Sequence, residues 1–313
     1  MRDTDQSLLE GISRRDYRSL ARVITLVEDR TERGRRLQEQ LFARTGKAQV
    51  IGVTGSPGAG KSTLVDQLAT TWRAAGKQVA ILAIDPSSPF SGGAVLGDRI
   101  RMSKTAEDPS IFIRSMATRG ALGGLSRATL DTVQILDGAG FDVILLETVG
   151  VGQGEVDIVK TAHTCIVVMV PGMGDGVQAI KAGILEIADL FVINKADREG
   201  ADNLQRDLRL LISLNSYHEG AWVPPILRTV ATTGEGREEV IGESEKHWLW
   251  LQSTTEGQSR RKKLVREAIL KMTSERLLER LLAKRGVELE GLAAACFDKA
   301  LSPGTAVDQL LRD

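Results

Sequence analysis

The sequence predicts a doubly wound α/β fold with a mostly parallel sheet and helical extensions at both ends. Two observations predict it. Short runs at Val50–Thr54, Val79–Ile84, Ile111–Arg114, Val143–Leu146, Cys165–Val170, Leu190–Ile193 and Ile226–Val230 are apolar on both faces, as strands covered on either side by helices must be. Between them, stretches such as Ser62–Ala75, Leu125–Leu136 and Asn203–Leu214 carry apolar residues at helical spacing, and this alternation marks a parallel sheet wound by helices.

The elements follow in order. From Asp16 to Thr45 the chain is charged, with Leu20, Ile24, Val27, Leu37 and Leu41 on a helical period and Gly34 as its expected break. Residues 1–46 are therefore expected to form a helical arm, 47–255 the α/β domain and 256–313 a second helical arm. The last rests on Gln258–Arg285, which has no Gly or Pro and carries Leu264, Ile269, Leu277, Leu281 and Leu282; it is longer than most globular helices. A shorter amphipathic segment, Leu289–Leu301, and a last one after Ser302-Pro303 follow.

Lys+Arg and Asp+Glu both number 41, so no net field draws the chain to a polyanion, and neither nucleic acid nor membrane is expected as a partner. The two cysteines, Cys165 and Cys296, are far apart in apolar stretches, which points to a reducing compartment and a cytoplasmic protein. The N-terminus lacks the apolar stretch of an export signal, and no apolar run approaches the roughly 20 residues that span a bilayer.

The chemistry begins after the first strand. Gly55-Ser56-Pro57-Gly58-Ala59-Gly60-Lys61-Ser62 fits G-x-x-x-x-G-K-[ST] between a strand and a helix, where backbone N–H groups and the helix N-terminus cradle phosphates. Lys61 is expected on the β- and γ-phosphates, Ser62 on a magnesium ion and Thr63 on the α-phosphate. Asn194-Lys195-Ala196-Asp197 closes a later strand and has the N-K-x-D pattern that reads guanine. The Asp197 carboxylate can accept from guanine N1–H and its 2-amino group, whereas adenine would leave it unpaired. Asn194 is expected to tie this loop to the phosphate loop and the Lys195 stem to lie across the base. Thr229-Val230-Ala231 is a third loop, where a backbone amide could meet guanine O6.

Glu147 ends the strand Val143–Leu146, with Gly150 placed to meet the γ-phosphate. Asp85, at the end of Val79–Ile84, and Asp98 are two further acids in the same half of the chain. Glu147 and Asp85 are the expected metal acids and Asp98 the acid for the attacking water, with Lys61, Asp98 and Glu147 forming the hydrolytic set. The glycine-rich stretches 150–155 and 171–176 are expected to move when the γ-phosphate leaves.

Four stretches together carry a family resemblance: Gly55 to Thr63, Asp85 to Met102, Glu147 to Gln153, and Pro171 to Asp175. They resemble the MeaB/ArgK family of P-loop GTPases, and the likeness extends along nearly the whole chain. It implies a chaperone of adenosylcobalamin-dependent acyl-CoA mutases, chiefly methylmalonyl-CoA mutase, that binds GTP or GDP with Mg2+, gates cofactor delivery and protects the mutase. It further implies a homodimer formed through the C-terminal arm, nucleotide, magnesium and hydrolysis roles for Lys61, Asp85, Asp98 and Glu147, and a mutase-facing switch around Pro171 to Lys181. Val230 stands where the family usually has Ser. Two alternatives are a metal-insertion GTPase of the hydrogenase or urease maturation type and a P-loop metabolite kinase linked to arginine transport. The first needs clustered soft ligands, whereas His163, His218 and His247 are scattered; the second has no use for guanine selection.

Overall fold

A computed structural model describes residues 4–85, 105, 108–117, 127–148, 158, 161–172 and 187–312, and within these the side chains of Asp85, Ala117 and Arg127 are not described. Two compact units emerge, Met1–Lys262 and Lys263–Asp313.

The first unit is built on one parallel seven-stranded sheet. Its strands are β1 (Gln49–Gly55), β2 (Val79–Asp85), β3 (Phe112–Ala117), β4 (Val143–Thr148), β5 (Thr164–Met169), β6 (Leu190–Asn194) and β7 (Ile226–Thr229), in the spatial order β3-β2-β4-β1-β5-β6-β7. Side-chain alternation sends each central strand into two cores. Val143 and Leu145 join one and Ile144 and Leu146 the other, as do Leu190 with Val192 and Phe191 with Ile193. At about 1.5–3 kcal/mol per fully buried large apolar side chain, such strands are stable only with helices on both faces. These are α4 (Lys61–Ala74) and α7 (Arg237–Ser253) over one core, and α5 (Arg127–Gly138) and α6 (Ala201–Ser213) over the other.

The N-terminal helices α1 (Asp5–Ser13), α2 (Tyr17–Glu28) and α3 (Glu32–Phe42) lie over α5, and their Leu20, Ile24, Leu37 and Leu41 belong to the same core as the sheet. The carboxylate of Asp137 on α5 accepts the N–H groups of Gly46, Lys47 and Ala48, at 2.5, 3.1 and 2.9 Å, and so sets the entry into β1. Gly34 does not break the arm as its place in the sequence suggests. It is buried inside α3, and a Cβ there would lie 2.4 Å from the carbonyl oxygen of Leu26. The break falls earlier, at Arg30 with its left-handed backbone (φ 54°) and Thr31, which caps α3. The glycine is there for close helix packing.

The first unit closes below the sheet on a buried acid. Asp189, just before β6, accepts the backbone N–H of Cys165 at 2.8 Å and a two-pronged pair of bonds from Arg260 at 2.5 and 2.9 Å. His247 of α7, fully buried, has one ring nitrogen 3.5 Å from the same carboxylate and the other 2.9 Å from the hydroxyl of Thr164. Trp222 donates to the Asp189 carbonyl at 2.8 Å and packs on the His247 ring. Arg260 belongs to the start of the long helical segment α8 (Thr255–Phe297), so this network fixes the root of that segment to β5 and β6.

In the second unit, α8 is interrupted at Arg285, whose backbone leaves helical values (φ −131°, ψ 17°). The Arg285 guanidinium donates to the carbonyls of Gln309 and Leu310, at 3.2 and 2.7 Å, and of Arg312 at the end of α9 (Pro303–Leu310). A cation there satisfies the last carbonyls of a helix and its dipole.

Burial pulls the pKa of His247 down to about 4, with Arg260 adding to the effect and Asp189 opposing it. Between pH 6.5 and 4 the unfolded chain therefore takes up a proton at this histidine that the folded chain refuses, so stability rises with pH across that window. Acidification from pH 7 to 5 should cost stability at up to about 1.4 kcal/mol per pH unit from this group. Urea unfolding of His247→Gln should show a shallower pH dependence; parallel curves for the two proteins would clear His247 of any part in it.

Candidate functional site

The carboxyl ends of β1, β2, β4, β6 and β7 point to one edge of the sheet, and the strand order changes direction beside β1 and β4. Such a switch point opens a crevice above the sheet. The loop from β1 to α4 crosses it. Gly55, Gly58 and Gly60 have φ of 137°, 75° and 88°, a left-handed run that non-glycine residues avoid. Gly55 also lies so close to β5 that a Cβ would be 2.1 Å from the carbonyl oxygen of Val168. Gly60 precedes α4 without any side-chain cap, the kind of helix N-terminus whose first N–H groups suit an anion.

Lys61 is buried, and its ammonium donates to the carbonyls of Gly55 at 2.6 Å and Ser56 at 3.1 Å, which holds the charge within the curl of the loop. Ser62 donates its hydroxyl to Oε1 of Glu147, a residue 3% exposed. Glu147 stands beside Val53 in register, so β4 delivers a carboxylate to the first turn of α4. A hydroxyl and a carboxylate are hard oxygen donors, the class that suits Mg2+ when phosphate and water complete the shell. Ser56, Pro57, Ala59 and Thr63 line the same loop and helix start.

Asn194 ties three loops together. Its side chain, 2% exposed, donates through Nδ2 to the carbonyl of Ala59 at 2.8 Å, while Oδ1 accepts from the hydroxyl of Thr229 at 3.2 Å and the backbone N–H of Ala231 at 3.0 Å. Lys195 has a left-handed backbone (φ 55°), and its ammonium reaches the carbonyl of Gly58 at 2.9 Å, so the stem bridges the two loops. Asp197 is exposed. The N–H of Val230 donates to the carbonyl of Glu235 at 3.1 Å. The amides of Val230 and Ala231 are thus both engaged within the chain, an arrangement the sequence does not reveal.

Asp85 ends β2, in register with Ala117; its side chain lies outside the described residues, as do Asp98 and Gly150 and the stretches 86–102, 149–155 and 173–181. The structure therefore brings together the phosphate loop, Glu147, the Asn194–Asp197 loop and the Thr229–Ala231 loop. What sequence reasoning missed is how these loops are braced: the Thr229 hydroxyl on Asn194, and the peptide of Ala196, whose N–H donates to the carbonyl of Thr229 at 3.0 Å. A polar pair, Arg228-Thr229, at the end of an otherwise apolar strand is the signal that could have found them.

Gly60 offers the sharpest local test. A Cβ there would lie 2.4 Å from Nδ2 of Asn194 on a backbone at φ 88°. Left-handed backbone alone costs a non-glycine residue about 1–2 kcal/mol, and the clash displaces the tie to Ala59. Gly60→Ala should lose nucleoside triphosphate affinity by roughly tenfold or more in a titration with a fluorescent analogue. Wild-type affinity would show that the tie is dispensable.

The family model described as "Methylmalonyl Co-A mutase-associated GTPase MeaB" matches residues 20–286. A protein of Pyrococcus abyssi named as a GTPase is 48% identical, with 98% of this chain and 95% of that protein covered. GTPase ArgK of Escherichia coli is 35% identical, covering 93% of this chain and 91% of its own length. The mouse methylmalonic aciduria type A homolog, mitochondrial, is 32% identical, covering 97% of this chain and 78% of its own length. Among solved structures, a crystal structure of LAO/AO transport system kinase superposes with a TM-score of 0.73 at 27% identity, covering 99% of this chain and 97% of that one. With the fold, the phosphate loop and these likenesses in agreement, the chain belongs to the MeaB family of P-loop GTPases.

Proposed function

We propose that this chain binds GTP with Mg2+, hydrolyses it, and uses the cycle to gate adenosylcobalamin delivery to an acyl-CoA mutase, methylmalonyl-CoA mutase or a close relative, and to protect that mutase. The observation that carries the nucleotide reading is the Asn194 tie: one buried carboxamide holds the phosphate loop and the Asn194–Asp197 loop in fixed relation. A triphosphate on the first loop then presents its base to the second. Asp197 recognises guanine through its carboxylate, Lys195 covers the base with its stem, and guanine O6 shares the N–H of Ala231 with Asn194.

Lys61 and the first turn of α4 hold the phosphate oxygens. Ser62 and Glu147, with Asp85, hold Mg2+, which when bound neutralises charge on the phosphates. Asp98 orients the attacking water and Gly150 meets the γ-phosphate. The likeness to a transport system kinase suggests a second reading, but a guanine-selective loop serves a GTPase and has no purpose in an ATP-dependent metabolite kinase.

The partner reading is supported by the family description and the mouse relative's name. A homodimer through residues 256–313 is supported by the second unit, where Val265, Ile269, Leu270, Leu277, Leu278 and Leu282 all expose apolar surface. A cytoplasmic location goes with this reading; no described helix is long and apolar enough to cross a membrane.

Asp197→Asn should lose GTP affinity by roughly a hundredfold or more and accept xanthosine triphosphate, whose 2-oxo group suits an amide donor. Unchanged GTP affinity would sink the base assignment. Sedimentation should give a dimer mass for the chain alone and a heavier complex when methylmalonyl-CoA mutase and a non-hydrolysable GTP analogue are added; a monomer, or no co-sedimentation with any acyl-CoA mutase, would overturn the assembly.

A further inference from the structure

We propose that Arg228 is a positioning residue for guanine selection, acting through the peptide that carries Asp197. The inference rests on the reading of Asn194–Asp197 as the base-recognition loop and deepens it, since nothing in the motif itself includes this arginine.

The geometry starts on β7, whose Arg228 is in register with Ile193 of β6, one residue before Asn194. From there the guanidinium spreads over the loop. One nitrogen donates to the carbonyl of Ala196 at 3.1 Å and the other pairs with the carboxylate of Asp202 at 2.5 Å. Ala196 immediately precedes Asp197, and Asp202 lies in the first turn of α6, so one planar cation grips the chain on both sides of the base-reading acid. Ala196 is held at its other end too, because its N–H donates to the carbonyl of Thr229. Both polar groups of that peptide residue are therefore pinned to β7, one by backbone and one by Arg228.

The backbone of Arg228 is itself immobilised. Gly236 (φ 79°) packs so tightly on it that a Cβ would lie 2.1 Å from the Arg228 carbonyl oxygen. On the loop side, Lys195 adopts a left-handed backbone and the N–H of Arg198 closes a turn onto the Lys195 carbonyl at 3.0 Å. A turn with a non-glycine residue at positive φ relaxes when its brace is removed, and the side chain that it aims is Asp197. A two-bond contact to guanine tolerates little displacement, so misplacing the carboxylate weakens the nucleotide with two donors more than the nucleotide with one. Arginine suits the role because its fork reaches two acceptors in fixed directions; lysine offers a single flexible nitrogen.

The measurement compares GTP with inosine triphosphate, which keeps N1–H and lacks the 2-amino group. Arg228→Met should lower GTP affinity by roughly three- to tenfold and inosine triphosphate affinity by less, which shrinks the preference between them. Arg228→Lys should recover part of that preference and serves as the working variant if the methionine chain does not fold. Loss of thermal stability with the preference intact in both variants would show a merely structural residue and overturn the proposal, as would equal losses for the two nucleotides. Asp197→Asn run alongside separates the two claims. If it leaves the preference between the two nucleotides intact, the base reading itself fails; if it erases the preference and Arg228→Met does not, the base reading stands and this inference falls.

Discussion

The site depends on one buried amide. Asn194 is the only side chain type of its size that both donates and accepts through one planar group, and the structure uses both capacities: Nδ2 on the Ala59 carbonyl, Oδ1 on the Thr229 hydroxyl and the Ala231 N–H. An aspartate would lose the donor and set a negative charge against a carbonyl; a leucine would leave three buried polar groups unpaired, each costing about 1–3 kcal/mol. Because Asn194 ends β6 while its partners lie at the ends of β1 and β7, the relation between the loops that follow these three strands is set by this group.

Backbone conformation supports the same arrangement. Positive φ at Gly55, Gly58 and Gly60 curls the first loop, and Lys195 adds a strained residue in the second. The strain persists because both loops are over-determined, by Lys61 on the carbonyls of Gly55 and Ser56 and by Lys195 on that of Gly58. Two cations thus donate to carbonyls that all belong to one short loop and brace its curl.

At the opposite end of the strands a second polar group acts as an anchor. Asp189, 2% exposed, is tolerable there only because Arg260 and the Cys165 N–H satisfy it; an unpaired buried carboxylate would be strongly destabilising. The same strand, β6, thus carries the anchor for the root of α8 at its start and the Asn194–Asp197 loop at its end. Burial also pushes the thiol of Cys165 up in pKa and leaves it inert, so its place in the network is through its backbone.

Much of this was legible beforehand, for physical reasons that are local. Strands buried on both faces must read as continuous apolar runs, and a loop that binds phosphate through its backbone must be rich in glycine before a helix start. The residue order alone therefore determined the seven strands, the helices between them and the glycine-rich phosphate loop after β1. Contacts between distant segments leave no such trace. That Gly34 serves close packing on Leu26, that Asn194 meets Ala59 and Ala231, that Asp189 receives Arg260, and that Arg228 braces the peptide before Asp197 were decided only by the tertiary structure. Each depends on which strand ends become neighbours, and that order follows from packing the whole sheet rather than from any one stretch of chain.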